Sequence, residues 1–276
     1  YVHKIAGFTL TQTSSLIIYG YTTLSMVAIY GNYMLIINSI NMMFQSIFSG
    51  VTAGIGNLVA EGDKKKILSI FEELFSSRFF CVSILCYCIL KLSNPFITIW
   101  IGSEYLLQKP TLYVIVGIMY INLTRTTIDA YISAYGLFSD VWAPVLEAIV
   151  NISLSILLGY YWGITGIVSG VLISLILVVF LWKPYFVFRK ALKISIIVYV
   201  KMYLKHIMAF VISYAITVFL ISFFSIHADR NFLHWIISAI VNMSIFGIVL
   251  LLLLYILTSG MRDFTCRIIR IVQKKY

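Results

Sequence analysis

Residues 164–183, ITGIVSGVLISLILVVFLWK, run for twenty positions with a single charged side chain, Lys183, at the very end. A helix of that length rises ~30 Å at ~1.5 Å per residue, the thickness of the hydrocarbon layer of a bilayer. Working outward, similar apolar runs fall near 6–22, 31–58, 74–97, 111–136, 143–162, 206–225 and 233–258, about eight in all, with little polar sequence between them. Hydrophobic residues make up 61% of the chain and charged residues 11%, with a mean hydropathy of +1.00. Too little polar sequence remains to coat a water-soluble exterior. Lipid offers no partner to an unpaired backbone group, so the runs must be helices, and they are too long and uniformly apolar for barrel strands. The fold class expected is all-α: a polytopic membrane protein of about eight transmembrane helices.

The basic residues orient it. With residue 1 in the cytoplasm and one crossing per run, fifteen Lys and Arg fall on the cytoplasmic side. Only Lys91, Lys109 and Arg230 fall opposite, while Arg78 and Arg125 lie within or near the membrane. That asymmetry is a strong positive-inside signal. The formal charge of +10 is then topology plus attraction to anionic membrane lipids, with no call on nucleic acid. Residues 1–183 hold six runs, and 184–205 read as a basic, amphipathic cytoplasmic linker. An additional helix pair covers 206–260, and 261–276 form a basic cytoplasmic tail. The chain starts at Tyr1 without an initiator Met or a signal-peptide pattern and reads as the back portion of a longer protein. Cys81, Cys86 and Cys88 share one apolar run and Cys266 sits in the tail, a spacing that suits packing rather than metal or disulfide. The four histidines are scattered, so neither metal nor cofactor is expected. Short outer loops with few catalytic groups argue against a membrane enzyme.

Function in such a chain is written in residues that are costly at bilayer depth. In the second run Asn38, Asn41, Gln45, Ser49, Thr52 and Gly56 recur at steps of three or four, one helical face polar for about five turns. Gln12, Ser15 and Tyr19 repeat this more weakly in the first run. Asn122, Arg125, Asp129 and Ser133 share a face in the fourth, and Glu147, Asn151 and Ser155 in the fifth. Such faces serve either as glue between helices or as the wall of a wet cavity, and a five-turn stripe exceeds what glue usually requires. Arg125 and Asp129, four apart, either neutralise each other or offer a guanidinium fork to a phosphate. In the second case Asp129 and Glu147 tune charge or carry a proton. Glu147, three residues past Pro144, is alternatively a first-turn acid at a helix start. Arg78 is read as snorkelling toward the surface. Gly163, Gly166, Gly170 and Ser174 mark a packing face. The candidate substrate-binding residues are Arg125, Asn122, Asn38, Asn41 and Gln45; the candidate ion-coupling or charge-tuning residues are Asp129 and Glu147.

Several segments together resemble Wzx-type polysaccharide flippases of the multidrug/oligosaccharidyl-lipid/polysaccharide exporter superfamily. HKIAGFTLTQTSSLIIYGYTTLSMVAIYGNYMLIINSI (3–40) is similar to their seventh and eighth helices, and SGVTAGIGNLVAEGDKKKILSIF (49–71) to the cytoplasmic end of the eighth. NPFITIWIGSEYLL (94–107) resembles the outer loop after the ninth, and PVLEAIVNISLSILLGYYWGITGIVSGVLIS (144–174) the eleventh and twelfth. The resemblance covers about 3–200; residues 207–276 match the extra thirteenth and fourteenth helices by hydropathy alone. It implies that 1–183 form the six-helix carboxy-terminal lobe of a two-lobe exporter whose amino-terminal lobe lies elsewhere in the same protein. It also implies flipping of undecaprenyl-diphosphate-linked oligosaccharide across the bacterial inner membrane by alternating access, for O-antigen, capsule or exopolysaccharide. Such a cavity often carries cationic groups, with Arg125 the best-placed here. Where relatives carry a T-D-N-I-L-I-like pattern, this chain has Thr13-Ser14-Ser15-Leu16-Ile17-Ile18, lacking the acid. A small-molecule exporter of the multidrug and toxin extrusion type is the nearest alternative.

Overall fold

A computed structural model describes residues 17–140, 142–223 and 231–273. Among these the secondary structure is helical throughout, with no strand. Helix α1 spans Leu24–Glu61, α2 Lys64–Trp100, α3 Lys109–Ala134 and α4 Trp142–Leu192. Helix α5 spans Ile196–Ile221, α6 Phe232–Leu257 and α7 Ser259–Gln273. The first six are long and apolar enough to cross a membrane; the protein is a multi-pass membrane protein. Six is fewer than the about eight runs counted in the sequence. Runs 143–162 and 164–183 are successive arms of α4, and run 6–22 lies outside the described residues up to residue 16.

Local chemistry sets the helix ends. The Thr23 hydroxyl accepts from the Met26 amide to open α1, and Gly62 closes it at φ 77°, a left-handed conformation that glycine adopts without steric cost. Asp63 follows at once and accepts from the Lys65 and Lys66 amides, capping α2. The turn Glu61-Gly62-Asp63 thus stops one long helix and starts the next.

Within α4 the chain turns at Gly163 (φ 55°, ψ −136°). Beyond it the two arms lie in backbone contact. A methyl group added at Gly166 would sit 1.9 Å from the Leu158 carbonyl oxygen, and one at Gly170 2.4 Å from the Ser155 amide nitrogen. The Ser155 hydroxyl donates to the Ile167 carbonyl at 2.9 Å. The line of small residues expected to pack does so, against the preceding arm of its own helix.

Helix α2 is the axis of the molecule, touching α1, α3, α5, α6 and α7. Toward its lysine-rich end Phe71, Phe75 and Phe79 pack with Tyr131, Phe188, Tyr199 and Met261. Toward the other end Val82, Cys86 and Ile97 pack with Tyr33, Ile37, Met119, Ile164 and Val168. Tyr87 stacks on Phe246 at 4.3 Å and donates to Asn242 at 2.9 Å, fastening α6.

The two basic segments take definite helical form. Residues 184–205 are helical rather than a separate connector: 183–192 prolong α4 through π-type turns, Lys193 makes a left-handed bend, and 196–205 are the first turns of α5, with Arg189, Lys190, Lys193, Lys201 and Lys205 exposed. Val187, Phe188, Leu192 and Tyr199 are buried in the aromatic core, which holds the stretch in helices. The tail is likewise a helix, α7, docked along α2. Arg267 pairs with Glu73 at 2.8 Å, and Met261 is buried.

Candidate functional site

Helices α1, α2, α3 and both arms of α4 enclose a cavity of about 960 Å³. Along α1 its lining runs from Val27 to Ser49, roughly 33 Å of helix at ~1.5 Å per residue. The wall near Val27, Met34, Ile115 and Val168 is apolar. The polar groups gather toward the ends of α1 and α3 that lead into the lysine-rich side. Asn38, Asn41 and Gln45 enter from α1, Asn122, Arg125 and Asp129 from α3, and Glu147 and Asn151 from the first arm of α4. All seven candidate residues named from the sequence therefore line one space. The Gln12 and Ser15 steps and the Thr52 side chain lie outside the described residues.

The amide groups bear on the choice between glue and cavity. Among the described residues Asn38, Asn41, Gln45 and Asn122 make no side-chain hydrogen bond to protein, and the buried Asn41 Oδ1 has no partner at all. Hydrogen bonds between membrane helices average ~0.6 kcal/mol, yet these amides make none. A polar group left so in hydrocarbon costs ~2–7 kcal/mol. Asn38 and Gln45 are exposed on the cavity side, so these amides are placed to meet water or a ligand rather than a neighbouring helix among the described residues.

No family model, curated protein or solved structure matches this chain. The cavity must be read from its own residues.

Asp129 is shared. Its Oδ2 accepts from Arg125 Nε at 2.9 Å along the same helix, and its Oδ1 from Lys183 Nζ at 2.7 Å across to α4. The expected Arg125–Asp129 pair exists, but it is half of a triad. With Lys183 drawing on the same carboxylate, Asp129 does not neutralise Arg125 fully, and the Arg125 Nη groups take no acceptor among the described residues. Glu147 is buried in the cavity and not at the start of α4, whose first residue is Trp142. The reading of it as a first-turn acid is therefore corrected.

Arg78 overturns its expectation most. It does not snorkel: it is 1% exposed and lines the same cavity from α2. Its Nη1 donates to Thr127 Oγ1 at 3.0 Å, its guanidinium carbon lies 5.3 Å from the centre of the Phe48 ring, and its Nε has no partner. Among the described residues no carboxylate lies within ion-pair distance of it. A signal was available: Arg78 falls in step with Phe71, Phe75 and Val82 on the face of α2 that meets the core. Lys183 carried no comparable signal, because its partnership with Asp129 spans 54 positions. No grouping of three His, Cys, Asp or Glu suited to a metal occurs among the described residues.

Proposed function

We propose that the chain is the carboxy-terminal lobe, with an added helix pair, of a Wzx-type flippase. It would carry undecaprenyl-diphosphate-linked oligosaccharide across the bacterial inner membrane by alternating access. The single observation behind this reading is a cavity between membrane-spanning helices that holds two arginines, one of them, Arg78, buried without an acidic partner among the described residues. Translocon scales put an arginine at a helix centre at roughly +2.5 to +3.5 kcal/mol. An anionic ligand entering the cavity supplies the missing countercharge. A diphosphate meets guanidinium groups by paired, charge-assisted hydrogen bonds, and the sugar hydroxyls find the free amides of Asn38, Asn41, Gln45 and Asn122. The polyprenyl tail stays in lipid, and rocking of one lobe against the other turns the site outward. Asp129 and Lys183 hold Arg125 in register, while Glu147 tunes the charge. No covalent chemistry is required.

The test uses the full-length protein in cells that depend on it for surface polysaccharide. Arg125→Ala abolishes the polymer, and Arg125→Lys, which keeps the charge but loses the fork, retains part of it. Undiminished polymer in both variants removes Arg125 from the site.

A further inference from the structure

A second, smaller cavity of about 220 Å³ opens at the other side of α2, between α5 and the corner where α6 passes into α7. Its rim carries Lys201 and Lys205, four apart on one face of α5. Its floor is a buried pair: the His206 Nδ1–H donates to the Met202 carbonyl at 2.8 Å, and Nε2 shares a 2.9 Å hydrogen bond with the Ser76 hydroxyl of α2. The far wall is Thr258-Ser259-Gly260, with the backbone of Gly260 pressed so close to the Glu72 carbonyl that an added methyl group would lie 2.2 Å from it. Glu72, the acid in the lining, has its Oε2 engaged by the Ser259 hydroxyl at 2.6 Å. Neither lysine has a carboxylate within ion-pair distance among the described residues.

Two like charges at a four-residue spacing repel each other, and the lining of two lysines and one acid is formally cationic. By the distribution of basic residues this end of the bundle faces the cytoplasm, where the lipid surface is anionic and basic pockets between helices take lipid head groups. We propose that this pocket binds the phosphate of an anionic phospholipid from the cytoplasmic leaflet. The two ammonium groups straddle the phosphate oxygens, and the Ser76–His206 floor fixes α5 on α2 so that both lysines stay at the rim. The occupied pocket then ties α5, α7 and α2 together at one point of the interface. The site shares no residue with the large cavity and stands whether or not the chain flips a lipid-linked sugar.

Native mass spectrometry of the purified chain in neutral detergent, titrated with phosphatidylglycerol and in parallel with phosphatidylcholine, tests it. Phosphatidylglycerol adducts persist on the parent protein and phosphatidylcholine adducts do not. The double variant Lys201→Gln/Lys205→Gln weakens phosphatidylglycerol binding about thirty-fold, roughly fivefold for each lysine. The control Lys190→Gln/Lys193→Gln removes the same charge from exposed positions nearby and leaves binding unchanged. Equal loss in both pairs, or no loss in the first, overturns the proposal, and displacement of the lipid by millimolar inorganic phosphate reassigns the pocket to a soluble anion. A photoreactive phosphatidylglycerol on the parent protein needs no variant: crosslinks within 198–206 and 258–260 support the site, and crosslinks confined elsewhere sink it.

Discussion

Replacing Arg78 by methionine removes the cation that the fold buries without an acid, and the structure allows its cost to be worked out. Placing an arginine at the middle of a membrane helix costs ~2.5–3.5 kcal/mol, an upper bound for Arg78, which lines the cavity. Against this stand one hydrogen bond to Thr127 at 3.0 Å, worth ~1.5 kcal/mol for a charged donor, and the Phe48 ring at 5.3 Å, worth ~0.5–1 kcal/mol. A net cost of about 0–1.5 kcal/mol, ~0.75 at mid-range, remains. Methionine of similar length fills the same space without it, so Arg78→Met raises the melting temperature in detergent by about 1–3 °C. The contrast is Phe79→Ala, one position on and equally buried, which costs ~3–5 kcal/mol and lowers the melting temperature well beyond that margin. On the proposed function, Arg78→Met in the full-length protein loses surface polysaccharide while remaining the more stable molecule. Gained stability with lost transport is the signature of a strained functional group. A drop in melting temperature on the scale of Phe79→Ala would make Arg78 structural and refute the reasoning.

Two further outcomes follow from the same geometry. Asp129→Asn leaves Arg125 and Lys183 facing an uncharged amide; two partly buried ion pairs are lost at about 2 kcal/mol together, between the exposed and buried limits. The melting temperature falls by about 4–8 °C, and adding Lys183→Met to Asp129→Asn costs little more; a full additive penalty would show that the two groups are not coupled. Gly166→Val drives a side chain into the Leu158 carbonyl and abolishes a monodisperse peak in size-exclusion chromatography. Gly247→Ala, whose added methyl group meets Ile84 at an ordinary 3.4 Å, leaves the peak unchanged; equal behaviour of the two variants would mean that the arms of α4 are not held in backbone contact.

The spans were legible because burying backbone in lipid admits few solutions, and the polar stripe because amides at bilayer depth are expensive enough to need a reason. The convergence of α1, α3 and α4 on one cavity was legible through the same argument applied to each helix separately. The position of Arg78 was misread because charge alone suggested a surface, while its register with Phe71, Phe75 and Val82 pointed inward; periodicity was the better guide. The segment 184–205 shows basic residues on its exposed face, while the burial of Phe188 and Tyr199, which the sequence reading did not weigh, docks it on the core. The sharing of Asp129 between Arg125 and Lys183 depends on how α4 crosses α3, a tertiary fact that no local pattern encodes. The fold-back at Gly163 appeared in the sequence only as one glycine of a packing face, whereas its positive φ is what lets the two arms run side by side.

The charges in the large cavity also bear on which kind of cargo it suits. Arg78 and Arg125 face it directly, and Lys183 stands behind Asp129. Against these three cations there are two acids, Asp129 and Glu147, and Asp129 is held from both sides by Arg125 and Lys183. A cationic drug entering would have to displace Arg125 or Lys183 from Asp129, or reach Glu147 in a space already formally positive. It would also leave Arg78 as it was, buried and without a countercharge. An anionic head group meets the opposite situation: Arg78 gains its missing partner, and the Nη groups of Arg125 are engaged without breaking the bond from its Nε to Asp129. The amides then discriminate no charge but accept hydroxyls, which is the chemistry a sugar brings. On electrostatic grounds the proposed anionic cargo suits this cavity better than a small cation does.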